Sequence, residues 1–399
     1  MRSLLFVLFS IPALAAQPNV QLGEPVLIVE GPASEHRWGR YQFPRIWHGA
    51  AGEAVVFVHV EPDAVESYGK PQAAFVSTDQ GATWKADATA AARPYGFRLR
   101  NGDYLQAATT AAPAVDETKL PQPAGAQQLY ADSYKFYRMA DLPEEMRLIF
   151  FDRFEAGGKG WQREQTPLTD AGGLRGVVRG HLPRIWWGDM RTARDGSLIA
   201  VVYPAYEETK GQLYNHSACY RSTDDGRHWH LQGRILYQFD AKADPKGAAR
   251  GGFGEPALEI LKDGSLFVAL RTTDGHGVGP MYFSRSNDLG RTWTRPRAFT
   301  PTGVMPRLLR LANGTLVMSS GRPGVDLRFS FDGRGKHWTE PRELVPADKE
   351  KVQADSCGYT DLLALDKDSF LIVYTWFKRP GADGLPHKAV LARRVTVTR

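Results

Sequence analysis

The stretch Phe253 to Thr272, FGEPALEILKDGSLFVALRT, decides how the rest of the chain is read. Two apolar runs flank Asp263-Gly264, a dipeptide that tolerates positive φ and suits a tight hairpin. Each run carries a charged residue near its outer end, Glu255 and Arg271. Pairing about the turn brings these two side chains together at one end of a small antiparallel sheet. A carboxylate and a guanidinium so placed form either a structural ion pair or the floor of a site that handles an anion.

The same pattern recurs. Hairpin signals stand at Gly52, Asn101-Gly102, Asp195-Gly196, Asp263-Gly264, Asn313-Gly314 and Asp366-Lys367-Asp368, each between short runs rich in Val, Ile, Leu, Phe and Tyr. A second repeat, S-x-D-x-G-x-x-W, occurs as STDQGATW (Ser77 to Trp84), STDDGRHW (Ser222 to Trp229) and SNDLGRTW (Ser286 to Trp293), with the longer SFDGRGKHW from Ser330 to Trp338. In each box the Asp accepts backbone N–H bonds, the Gly supplies an unusual φ and the Trp plugs the turn against a sheet, so the boxes are structural. No long amphipathic helical pattern interrupts them. Six units of this size, none able to bury both faces alone, predict an all-β fold, a six-bladed β-propeller of four-stranded antiparallel sheets, with a pair of β-sandwiches as the alternative.

Within that frame residues 17–399 form a single propeller with an insertion around 107–165, where the second unit is swollen by the Ala/Pro/Gln-rich run from Ala107 to Gln128 and keeps only a degenerate box between Asp152 and Trp161. The last unit is one strand short, and Val20 to Val29 is the strand expected to complete it. Residues 1–16, MRSLLFVLFSIPALAA, read as a signal peptide, so a secreted or periplasmic protein is expected, without a membrane span. The formal charge of +6 comes from scattered Arg with no basic stripe, which argues against nucleic acid as a partner. Cys219 and Cys357 imply no disulfide framework, and no CxxC or HExxH pattern suggests a metal; no cofactor is expected.

In a propeller, equivalent positions of successive units meet near the channel. The candidates are Arg45 in FPRIWHG, Glu255, Arg271, Arg322 in SSGRPG and Tyr359 in CGYTDL. Three guanidiniums aimed at one point need an anion between them, and a carboxylate meets that need through bidentate pairing. Taken singly, each Arg reads equally well as a solvated or inter-sheet ion pair.

These residues and boxes resemble those of the bacterial exo-α-sialidases and the wider sialidase-like superfamily, over nearly the whole chain. The boxes look like that family's Asp boxes, and GEPALEILKDGSLFVALR is similar to its segment joining the catalytic glutamate to the second arginine. The resemblance implies Tyr359 as nucleophile, Glu255 as its base, and Arg45, Arg271 and Arg322 as the clamp on the carboxylate of a terminal acidic sugar, the glycan being the partner. It also implies a general acid in VEPDAVESYGKP, which offers Asp63 and Glu66. A phenol suits a sugar whose own carboxylate would repel a carboxylate nucleophile, and sialidases are known exceptions among glycosidases in this respect. The chain departs from the family at Ile46-Trp47, where Ile-Pro is usual, and at Thr375, where a glutamate is usual. A second PRIW, Pro183 to Trp186, makes Arg184 and Arg191 competitors for the role of Arg45, and Trp47, Trp186 and Trp187 are candidates for sugar stacking or packing. A hydrolase or lyase for uronic-acid glycans and a non-catalytic glycan-binding propeller are the rival readings.

Overall fold

The computed structural model describes residues 18–399 apart from 130–131, 168–169, 171, 185–187, 274–276 and 349; the expected signal peptide, Trp186 and Trp187 lie outside the described residues. The chain is built of antiparallel strands, and six of its sheets have four strands each. The fourth, with strands Phe253–Ile260, Leu266–Thr272, Met281–Ser286 and Arg297–Thr300, shows the plan. Its first two strands are joined through Gly264 at φ 91°, and Gly52, Gly102, Gly196 and Gly314 hold the same place with similar positive φ. The turn is wider than a two-residue hairpin, because Ile260 pairs with Leu266 and Leu261 N–H bonds to the Ser265 carbonyl.

Each sheet is apolar on both faces, and stacking in a ring covers both. Five of the buried clusters each join two consecutive sheets, and a sixth ties the first sheet to Tyr95, just before the second. Val55 and Phe57 pack towards Tyr95, Leu105 and Phe151 on Leu198 and Ala200, and Val201 and Cys219 on Leu258 and Val268. The series continues with Phe267 and Ala269 on Leu308 and Met318, then Phe329 on Phe370, and closes with Val373 on Val56. The strand expected from Val20 to Val29 is Asn19–Glu30; it pairs with Pro386–Thr398 and completes the last sheet.

The boxes fasten neighbouring sheets. In the box at Ser286, the serine hydroxyl accepts from Gly290 N–H at 2.9 Å, Asp288 accepts from Thr292 N–H, and Trp293 Nε1 donates to the Gly290 carbonyl. A Cβ on Gly290 would lie 2.2 Å from Cys219 Sγ of the preceding sheet, so only glycine permits this approach. The residue before the box glycine is also left-handed, as at Gln80, Asp225 and Leu289, a strain invisible in the motif itself. The degenerate box is replaced by ring packing, Trp161 lying 5.3 Å from Tyr95 and 5.5 Å from Phe154. Both cysteines are buried and unpaired, and burial pushes the Cys219 thiol up to about 12.

The swollen region forms a seventh sheet of five strands that the sequence reading did not foresee as such. It takes Gly125–Leu129 and Asp132–Arg138 from the insertion, but also Gly173–Val178, Ala205–Thr209 and Gln212–Asn215 from further along the chain. Its core is Phe136, Leu174, Ala205 and Leu213. Asp170, buried, ties it to the third sheet by accepting from Tyr206 and Arg234. Among the described residues no helix is long and apolar enough to cross a membrane.

Two outcomes follow from the boxes. Gly290→Ala adds a Cβ where both φ and space forbid it and costs about 2–4 kcal/mol in denaturant unfolding. Asp79, Asp224, Asp288 and Asp332 are held down to about 2. At Asp79 and Asp288 the threonine side-chain bond leads; at Asp224 and Asp332 burial opposes and is outweighed by bonds from His228 and Ser330. Their contribution is present above the unfolded value of about 4 and lost as pH falls through about 2, so Tm falls steeply across that window and less steeply in Asp288→Asn.

Candidate functional site

The innermost strands of three sheets share one irregularity. Gln42 pairs with His59 and Arg45 with Phe57; Gly254 pairs with Arg271 and Ala257 with Ala269; Val304 pairs with Gly321 and Arg307 with Ser319. Each inner strand therefore carries one extra residue, a β-bulge. The bulged residues Phe43, Glu255 and Met305 adopt φ of 53°, 44° and 43° and each precedes a proline, which needs no ladder partner there. The bulge presents position 255 at the end of the channel, and Phe43 occupies the corresponding place in the first sheet.

Around Glu255 the site assembles from four sheets. Tyr359 Oη donates a hydrogen bond to Glu255 Oε1, and Arg271 Nη1 donates to Glu255 Oε2 at 2.5 Å and to Tyr359 Oη at 3.3 Å. The Arg271 and Glu255 side chains are only 7% and 14% exposed, so their attraction is weakly screened. Arg322, buried and also left-handed, donates from Nε to the Cys357 carbonyl and lies 5.5 Å from the Tyr359 ring and 5.1 Å from that of Trp38. Gly321 and Gly358 allow this crossing of chains, since a Cβ on Gly321 would sit 2.3 Å from the Gly358 Cα. Phe43 packs on Tyr359 with ring centroids 4.8 Å apart.

Burial raises the Tyr359 phenol well above its ordinary value, the Glu255 charge adds to this, and Arg271 and Arg322 only partly offset it. Tyr359 is thus a neutral hydroxyl whose proton already points at a base. Asp63 stands at the mouth, accepting from Trp38 Nε1 at 3.1 Å. Crowding by protein raises its carboxyl, Trp38, His59 and Arg322 pull it back, and Glu255 raises it further. It is therefore an acid within electrostatic reach of the other groups.

Two expectations are corrected. Arg45 does not join Arg271 and Arg322: its Nε donates to Asp361 at 3.0 Å, and Asp361 also faces Arg307 Nε at 3.5 Å. The bulge is the cause, because residue 45 follows the proline, as Ala257 and Arg307 do, and falls one level deeper in the channel. Glu66 does not approach Tyr359; its carboxylate lies 3.6 Å from Arg179. Of the two readings of Trp47, the structure shows packing, in the cluster of Val55, Phe57 and Tyr95 and beside Arg45. Of the competitors for Arg45, Arg191 is tied to Asp189 and Glu259, and Arg184 lies over Phe150. Thr375, where a glutamate was expected, bonds to Ser356, Cys357 and the Cys357 N–H, bracing the turn before Tyr359.

Several site residues escaped the sequence reading. Tyr203 lies beside the strand that carries Glu255, its ring 3.8 Å from where a Cβ on Gly254 would stand, and its phenol is raised by burial first and then by the charges of Glu255 and Tyr359. Its signal was present: Asp195-Gly196-Ser197-Leu198 repeats Asp263-Gly264-Ser265-Leu266, and counting on from each puts Tyr203 where Arg271 stands. Trp38 and Phe43 precede or share the PRIW stretch, whose arginine drew attention away from them.

The comparisons with known proteins agree with this architecture. A family model described as a BNR repeat-like domain matches residues 148–375, more than half of the chain. Among solved structures, a protein of unknown function from Dyadobacter fermentans is similar at 18% identity and TM-score 0.63, covering 95% of this chain and 99% of that one. An α-L-arabinanase from Penicillium chrysogenum gives 14% identity and TM-score 0.50, with 93% and 98% covered. The NanB sialidase of Streptococcus pneumoniae gives 12% identity and TM-score 0.51, with 94% and 71% covered. No curated protein matches the chain by sequence. With its boxes, its ring of four-stranded sheets and this match, the chain belongs to the BNR repeat-like family.

Proposed function

We propose that this protein is an exported retaining glycoside hydrolase, a single propeller over residues 17–399, that removes a terminal sugar bearing an acidic group beside its anomeric carbon. The observation that carries the reading is the Tyr359–Glu255–Arg271 contact, a phenol with its proton aimed at a carboxylate that a guanidinium holds in place. A neutral nucleophile has an advantage where the substrate carries a negative charge at the reacting carbon. Tyr359 Oη attacks the anomeric carbon while its proton passes to Glu255. Asp63 gives its proton to the departing oxygen, and then as a base takes one from the water that releases the sugar. Arg271 and Arg322 hold the acidic group, and Trp38, Phe43 and Tyr203 supply the apolar walls against which a sugar ring packs.

Only two guanidiniums serve the acidic group here, since Arg45 is engaged by Asp361. That observation favours a second reading in which the sugar is not sialic acid but another acidic one, such as a uronic acid. The fold shared with an arabinanase and a sialidase is compatible with either. Turnover of an aryl α-sialoside compared with an aryl uronide and an aryl arabinofuranoside decides among them. Saturable binding without turnover would leave a glycan-binding propeller.

Tyr359→Phe abolishes hydrolysis with the fold intact by circular dichroism. Arg271→Ala lowers kcat roughly 10²–10³-fold and raises KM, as contacts serving both ground and transition states require. Arg45→Ala lowers Tm by a few degrees, since it strips a partner from Asp361, and affects kcat/KM far less than Arg271→Ala.

The raised carboxyl of Asp63 sets the pH dependence. Activity is present below its folded-state pKa, which lies above the ordinary value of about 4, and is lost as pH rises through it. In Asp63→Asn the alkaline limb disappears, and turnover of substrates with poor leaving groups falls by about 10²–10⁴-fold. Retention of the limb would remove Asp63 from the acid role.

A further inference from the structure

The leaving group of a glycosidase departs past its general acid, so whatever lies on the far side of Asp63 from Tyr359 meets the remainder of the glycan. The loop that carries Asp63 leads to the five-stranded sheet. The segment after Asp63 packs on the start of the insertion, where a Cβ on Gly69 would lie 2.5 Å from Ala111 N. From there Glu66 reaches Arg179, which follows the strand Gly173–Val178, and Arg179 Nε is held at 2.6 Å by Asp132. Tyr134 pairs with Val178 across the sheet. Its ring stacks on Phe136 of the sheet's core at 6.2 Å, so the base of the side chain is anchored.

Tyr68 caps the short helical turn Val65–Ser67 and immediately precedes Gly69, at the contact between the Asp63 loop and the insertion. Burial raises its hydroxyl first, and the charges of Tyr134, Asp63, Asp132 and Glu66 raise it further; the ring also lies near enough to Tyr203 to raise that phenol. Tyr134 in turn feels Asp132 and Asp63, after burial. Two phenols, a guanidinium and two carboxylates thus line one surface that begins at the acid. Aromatic rings with polar tips beside fixed charges are suited to sugar rings and their hydroxyls.

We propose that this surface, Tyr68 and Tyr134 with Arg179, is the binding site for the leaving glycan, and that the five-stranded sheet is the element selecting which glycans are cut. The proposal rests on the glycosidase reading above. It assigns to the extra sheet a neutral, hydroxyl-rich oligosaccharide chain, since Arg179 is already balanced by Asp132 and Glu66.

The test compares an aryl α-sialoside with sialyllactose, which share the sugar removed and differ only in what departs. Tyr134→Ala and Arg179→Ala each lower the ratio of kcat/KM for sialyllactose to that for the aryl sialoside at least tenfold, chiefly through KM. Tyr134→Phe, which keeps the ring, restores most of the ratio. Arg179 is exposed, so its variant remains informative where Tyr134→Ala fails to fold. An unchanged ratio in folded variants overturns the proposal while leaving the glycosidase reading standing. Where the wild type cleaves the aryl uronide instead, the ratio is taken between that uronide and an oligosaccharide ending in the same sugar; absence of turnover of all of these overturns the glycosidase reading and this one with it.

Discussion

A small sheet with apolar side chains on both faces must be covered twice, and that requirement governs everything else in the molecule. Each four-stranded sheet here covers one face of the sheet before it and one of the sheet after it, and the last does so to the first. Hydrophobic burial of this kind is worth about 25 cal/mol per Å² and has no direction of its own. Direction comes from the boxes, whose glycines admit the neighbouring sheet to van der Waals contact and whose tryptophans seal the joint. Because the ring is closed, the ends of its inner strands converge whatever chemistry they carry.

The inner-strand bulge turns that convergence into a site. It rotates Glu255 out of the ladder into a left-handed conformation that a stable scaffold must hold against its preference. The same bulge supplies an aromatic wall at Phe43 and, one level deeper, brings Arg45 and Arg307 onto Asp361, Arg307 also donating to the Thr360 carbonyl while its Nη2 is buried without a partner among the described residues. The channel therefore has two layers: an outer one that gathers Glu255, Arg271 and Tyr359, and an inner one in which Arg45 and Arg307 share Asp361. A buried charge network is costly to strip of one member, which is consistent with its alternating signs.

The repeat made the sheets legible, because turn chemistry and period-two alternation act locally and need no knowledge of the neighbours. Glu255 and Arg271 were legible for the same reason, each at a fixed count from the Asp263-Gly264 turn, whereas the role expected of Tyr359 came from the family resemblance. Arg45 was misread because the count ran from the arginine of PRIW; aligning Phe43-Pro44 with Glu255-Pro256 and Met305-Pro306 places it in the deeper layer. Whether Asp63 or Glu66 meets the phenol depends on how a loop folds on Trp38, which no local pattern encodes. The five-stranded sheet was hidden because its strands come from three separated parts of the chain. Non-local pairing leaves only weak traces in sequence.

The sheet that joins Asn19–Glu30 to Pro386–Thr398 constrains how the molecule can come into being. During synthesis the early strand has no partner until almost all of the chain has emerged, and it must stay unpaired, with its hydrogen-bonding edge uncovered, while the intervening sheets form. Contacts of such wide separation are slow to make and leave sticky intermediates exposed. Once made, they act as a latch: the early strand, at the edge of the last sheet, holds the two ends of the chain together through its ladder with Pro386–Thr398.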